Sequence, residues 1–179
     1  MRRCIASFAL ALAVTASYAQ SGSHTWRAKL AEQMQLLGHR NWIVVADSAY
    51  PWQVSPGVET VETGADHVEV LKAVLKAIKG SIHVRPIIYM DSELRYVPES
   101  DAPGVDRVRK ALNRALAGRE IQTMLHEKII GKLDETGKTF HVLLLKTNMA
   151  VPYTSVFLQL NCKYWGDDAE KRLRQRMKS

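Results

Sequence analysis

Strand-like apolar runs and helix-period segments take turns along this chain, and that alternation constrains its fold more than any other feature. Residues 25–37 place Trp26, Leu30, Met34 and Leu37 on one helical side, with Gly38 positioned to end the helix. Residues 42–47 follow as a short buried strand, 48–56 as a loop holding two prolines, and 58–63 as a second strand. Asp66 reads as the cap of the next helix, with Glu69 three residues on as in a capping box. Val68, Leu71, Leu75 and Ile78 form its apolar stripe, and Gly80 closes it. Residues 83–90 read as a strand in which Pro86 marks an edge or an irregularity. A loop over 92–101 leads to a helix from Pro103 to Ala117, ended by Gly118. Then come a short strand over 121–125, a short helix over 126–133, a turn at Gly137, strands over 139–146 and 156–163, and a polar helix from Asp167. The pattern predicts an α/β fold, a single-domain sheet covered by helices. No internal repeat or low-complexity linker divides it.

Residues 1–19 have the three parts of a cleavable secretory leader. Arg2 and Arg3 make a positive start, the stretch from Ile5 to Ala16 is uncharged and apolar, and Ser17-Tyr18-Ala19 puts small residues where a signal peptidase reads. The apolar stretch is shorter than the roughly 20 residues of a membrane span. The expectation is cleavage before Gln20, export to the periplasm or the medium, and a working domain over residues 20–179. No later apolar run reaches spanning length, so no membrane association is expected after cleavage.

The leader's two arginines account for two of the +7 formal charges, leaving +5. Much of the excess sits at Lys171, Arg172, Arg174, Arg176 and Lys178. With no aromatic residues interleaved, this reads as a solvated helix face, and no nucleic-acid partner is expected. Cys162 is the one cysteine beyond the leader, which excludes an intrachain disulfide there. Its place in the alternation Val156, Leu158, Leu160, Cys162 predicts a small buried hydrophobe. Trp42 and Trp52 are open between interface anchors and core packing.

Local motifs for nucleotide, dinucleotide, serine-hydrolase and zinc-protease chemistry are absent. What remains is a scatter of polar residues at suggestive places. His39 follows the helix-ending Gly38. Asp47 ends a strand, where ligand crevices form in α/β folds, and can equally cap the next turn. His126 opens a short helix, as a cap or as a functional imidazole. Tyr153 follows Pro152 just before an apolar strand. His141 reads as structural or surface-facing, and no constellation is evident around His24, His67 or His83.

Taken together, Leu37-Gly38-His39, Val44 through Ala49 with Asp47, His126-Glu127, and Pro152-Tyr153-Thr154-Ser155-Val156 resemble the D-ribose pyranase and L-fucose mutarotase family. The likeness runs from about Leu30 to Asn161. It implies a cofactor-free isomerase that interconverts anomers or ring forms of a free monosaccharide such as ribose or fucose, with no metal required. His39 matches the family's proton donor. Asp47, His126, Tyr153, Thr154 and Ser155 match its sugar-binding positions. The resemblance further implies a homo-oligomer, a ring-shaped decamer in the family. Ser155 stands where the family has Asn, replacing a longer donor-and-acceptor arm by a short hydroxyl. The His126-to-Tyr153 spacing is longer than the family's, with Leu133 to Gly137 reading as an insertion. The alternative to an isomerase is an exported carbohydrate-binding protein that keeps the pocket without turnover.

Overall fold

The computed structural model describes residues 21–178; the expected leader and its cleavage site lie outside the described residues. Five helices and six strands alternate as expected: α1 (Ser21–Leu36), β1 (Trp42–Ala46), β2 (Val58–Glu62), α2 (His67–Gly80), β3 (Val84–Asp91), α3 (Val105–Ala115), β4 (Ile121–Met124), α4 (His126–Gly137), β5 (Val142–Lys146), β6 (Val156–Cys162) and α5 (Asp167–Arg176). A single 3-10 turn, Ser92–Tyr96, occupies the start of the segment expected as loop.

The strands make one sheet in the order β2-β5-β1-β6-β3-β4. β1, β2 and β5 pair in parallel, as do β3 and β4. β6 runs antiparallel to both neighbours, β1 and β3. Five strands therefore point one way, and β6 is reversed between them. Strands β1 and β5 are buried on both faces, which is why their sequences, Trp-Ile-Val-Val-Ala and Val-Leu-Leu-Leu-Lys, are nearly continuous apolar runs.

Alternation sorts these side chains into two cores. Ile43, Val45, Leu143, Leu145 and Leu158 face α1, α2 and α3, meeting Trp26, Leu30, Val70, Leu71 and Leu112. Trp42, Val44, Val142, Leu144 and Phe157 face the other way, where α4 supplies Ile129 and Leu133. Trp42 is core, its ring stacked 5.5 Å from that of Tyr89, whereas Trp52 is 82% exposed.

Several boundaries differ from expectation for identifiable reasons. Asp66 does cap α2, accepting from Glu69 N–H at 3.0 Å. The reciprocal arm of the capping box is missing, because the Glu69 carboxylate pairs with Arg27 of α1 at 2.6 Å. Pro86 lies in an interior strand, but β4 pairs only with Ile88–Asp91, so β3 is locally an edge where the proline sits. Cys162 ends β6 half-buried, beyond the last fully covered position, Leu160.

Helix α4 runs one turn past Leu133, so Gly137 belongs to its end. The residues that read as an insertion are helix. A contact remote in sequence holds that turn: Gly57 N–H donates to the Gly137 carbonyl at 2.7 Å, and Val142 N–H donates to the Gly57 carbonyl at 2.9 Å. A Cβ on Gly57 would overlap the carbonyl oxygens of Phe140 and Gly137. Backbone cannot yield as a flexible side chain can. Gly57→Ala is therefore expected to destabilise the protein by about 2 kcal/mol, read as a lowered midpoint in thermal or urea unfolding.

Candidate functional site

Reversal of β6 decides where polar side chains can gather. The carboxyl ends of β1, β3, β4 and β5 lie at one end of the sheet, and the amino end of β6 arrives there among them. Val45 and Met90 both register with Val156, and Asp91 registers with Met124. The next residues out are Asp47, Asp91, His126 and the segment Tyr153-Thr154-Ser155. Four elements thus place at one rim the residues that the sequence scatters over 47–155.

Asp47 is held there tightly. Its backbone N–H donates to Ser155 Oγ at 3.2 Å, and Ser155 Oγ–H donates to Asp47 Oδ2 at 2.8 Å. Asp47 Oδ1 accepts from Ala49 N–H at 3.0 Å. Both roles weighed for this residue are therefore present: it caps its own turn, and its carboxylate stands at the strand end. Ser155, expected to contact substrate itself, is fully buried and gives its only proton to Asp47. It acts as the carboxylate's support. Thr154 is fully buried as well, with Oγ1 donating to the Val151 carbonyl at 2.8 Å. Of the three, Tyr153 alone is partly exposed. Its φ of 60° is left-handed, an uncommon conformation for a bulky residue, and it turns the ring edge-on to His126 at 5.3 Å.

His126 opens α4 without a local side-chain cap. Two carboxylates at the end of β3 hold it instead. Glu93 accepts from the His126 backbone N–H at 3.0 and 3.2 Å through its two oxygens, capping the helix from 33 residues away. Asp91 places Oδ1 3.1 Å from His126 Nδ1. That approach lies off the line of a hydrogen bond, so both Asp91 oxygens and His126 Nδ1 remain unsatisfied although buried. Burial pushes the Asp91 carboxyl up to about 6; His126 opposes the rise, and the charges of Glu93 and Asp47 add to it. Neither Asp91 nor Glu93 stands out in the sequence, since a carboxylate at a strand end or in a short turn is the common case.

His67 departs from its sequence reading. It is 1% exposed. Nε2–H donates to the Thr154 carbonyl at 2.9 Å, and Nδ1 meets Thr147 Oγ1 at 2.9 Å. Burial holds its pKa below the ordinary imidazole value. The ring fastens α2 to the loop that presents Tyr153. His83 is also engaged, with Nε2 donating to the Leu37 carbonyl at 3.0 Å.

His39 lies elsewhere. It is exposed in the turn before β1, beside Arg40, whose N–H donates to the Leu160 carbonyl near the far end of β6. The whole of β1 separates it from Asp47, about 16 Å at roughly 3.3 Å per residue. One chain therefore brings together Asp47, Asp91, His126 and Tyr153, but not His39. Beside Asp91 a cavity of about 210 Å³ opens, lined by Met90, Ser92, Leu94, Arg109 and Thr123, and not by Asp47, His126 or Tyr153. Among the described residues no group of three or more His, Cys, Asp or Glu side chains is arranged to hold a metal ion, and no helix is long and apolar enough to cross a membrane.

No family model matches the chain, and no curated protein matches it by sequence. Solved structures do match. RbsD from Bacillus subtilis, complexed with D-ribose, is 18% identical over 74% of this chain and 90% of that one, with a TM-score of 0.53. The fucose mutarotase from Streptococcus pneumoniae, complexed with L-fucose, is 19% identical over 73% and 89%, with a TM-score of 0.47. FucU from Bifidobacterium longum is 18% identical over 74% and 92%, with a TM-score of 0.45. At such identities the likeness is one of fold: this mixed α/β chain is built like RbsD.

An ionised Asp91 opposes folding, because the group holds its proton more tightly folded than unfolded. Its contribution is most favourable below its unfolded pKa, near 4, and is lost as pH rises through about 6. Asp91→Asn is expected to stabilise the protein at pH 8 by on the order of 2 kcal/mol. The gain should shrink towards pH 4 in thermal unfolding followed across that range.

Proposed function

We propose that this chain is an exported, cofactor-free monosaccharide mutarotase or pyranase. The observation that carries the proposal is the rim cluster of Asp47, His126 and Tyr153, on a sheet with the fold of RbsD. Ring opening of a cyclic sugar needs one proton taken from the anomeric hydroxyl and one given to the ring oxygen. An imidazole that titrates near neutrality can do both, so no metal or redox group is needed for the step. Asp47, braced by Ser155 and the Ala49 N–H, can accept from sugar hydroxyls. Tyr153 offers a ring face to the sugar's C–H surface and a phenol to its oxygens. His126 lies against that ring and adds a second polar contact.

His39 is the proton donor in this reading, and geometry dictates how it takes part. Since β1 holds it far from Asp47 within one chain, a second copy supplies it, and the active form is a homo-oligomer whose sites lie between subunits. An exported protein of this kind would equilibrate ring forms of ribose, fucose or a related sugar outside the cytoplasm. The second reading, a carbohydrate-binding protein without turnover, is favoured by Ser155, whose proton is committed to Asp47 and unavailable to a sugar.

Exchange between anomers or ring forms, measured by saturation-transfer NMR on a panel of monosaccharides, is expected to exceed the buffer rate. His39→Ala should reduce it by about 10²-fold or more. Binding by calorimetry without faster exchange would favour the second reading. A further test isolates the shared site. His39→Ala and Asp47→Ala proteins, each impaired alone, should regain activity when unfolded and refolded together, and light scattering should show an assembly larger than one chain. No recovery on mixing would rule out a site built from two copies.

A further inference from the structure

Asp91 is the one buried carboxylate in the structure with no hydrogen bond to either oxygen among the described residues. Its side chain is wholly inaccessible, at the carboxyl end of an interior strand. An unpaired group so placed costs stability, and such groups persist where function uses them. Its nearest polar neighbour is His126 Nδ1 at 3.1 Å. The rest of that imidazole is fixed as well. Glu93 anchors the backbone N–H at the helix start, and Tyr153 sets its ring edge-on against one side. Nε2, by contrast, bonds to no described protein group, and the side chain is 26% exposed.

We propose that Asp91 is a positioning residue that holds His126 as its Nδ1–H tautomer, leaving Nε2 as a bare acceptor at the rim for a hydroxyl of the bound ligand. The role rests on the sugar-site reading of that rim. The reasoning is electrostatic. A lone pair on Nδ1 would face a carboxylate oxygen at 3.1 Å, lone pair against lone pair. A proton on Nδ1 turns that repulsion into attraction. In a neutral ring it also removes the proton from Nε2, because neutral imidazole carries only one. The charged and titratable groups around Asp91 are His126 from α4, Glu93 from the 3-10 turn, Asp47 from the end of β1, and Tyr50 from the following loop. Arg95 and Arg109 line the same cavity as Asp91, but Arg109 is committed to Asp106 and to the Leu94 and Val97 carbonyls. Of the groups whose charge acts on Asp91, His126 alone can lend it a proton or a positive charge. The pair thus acts as a unit, and Asp91 reaches the ligand only through the imidazole.

The test is ¹⁵N NMR of the His126 ring at a pH where it is neutral, in the wild-type protein and in Asp91→Asn and Asp91→Ala. The wild-type ring should be Nδ1–H. The Ala variant should relax to the mixture of an unrestrained imidazole, and the Asn variant, which should fold at least as stably as the parent, controls for loss of structure. Sugar exchange should fall about 10²-fold in Asp91→Ala. A wild-type ring protonated at Nε2, or the same tautomer in wild type and Ala variant, overturns the proposal; so does full-rate exchange in Asp91→Ala. A wild-type protein that accelerates no sugar's exchange overturns the mutarotase reading alone, since the tautomer comparison decides the role of Asp91 without it.

Discussion

One reversed strand organises this molecule. β6 lies between β1 and β3 and runs against both. In a sheet with every strand parallel, the segment leading into β6 would lie at the opposite rim from the carboxyl ends of its neighbours. Here Tyr153, Thr154 and Ser155 arrive beside Asp47 and Asp91. The two-way exchange between Ser155 and Asp47, a backbone N–H to the hydroxyl and the hydroxyl to the carboxylate, is the direct product of that register. Buried and reciprocal, it ties the sheet's central pair together at the point where the polar cluster begins.

Around this junction the supports form layers. His67 reaches from the first turn of α2 to the Thr154 carbonyl, and its other ring nitrogen meets Thr147 Oγ1. Glu93 and Asp91 grip His126 by backbone and ring. Tyr153 spends conformational energy on a left-handed backbone to turn its ring towards His126. Rigid elements hold each of the groups that point at the rim, the arrangement that lets a polar site keep its geometry while it stays open to solvent.

Much of the fold was legible because it rests on short-range patterns. The apolar runs of β1 and β5, the stripe of α2 and the Asp66 cap each follow from residues a few positions apart. What escaped depends on distant partners. Glu69 leaves its capping box for Arg27, and α4 gains a turn because Gly57 meets Gly137. At the site, Asp47 and His126 could be picked out by position and by likeness to a family. Asp91, Glu93 and His67 could not, because single carboxylates and histidines are ordinary until topology shows what faces them.

The two margins of the sheet carry a further consequence. On one side β4 is only four residues long, with Gln122 and Thr123 exposed, and the stretch of β3 that it leaves uncovered contains Pro86, which has no N–H to offer. On the other side β2 carries Glu59, paired with Lys29 at 2.8 Å, and the exposed Glu62. Neither margin presents a long, flat row of free amides and carbonyls, so strand-by-strand zippering into fibrils is disfavoured at both.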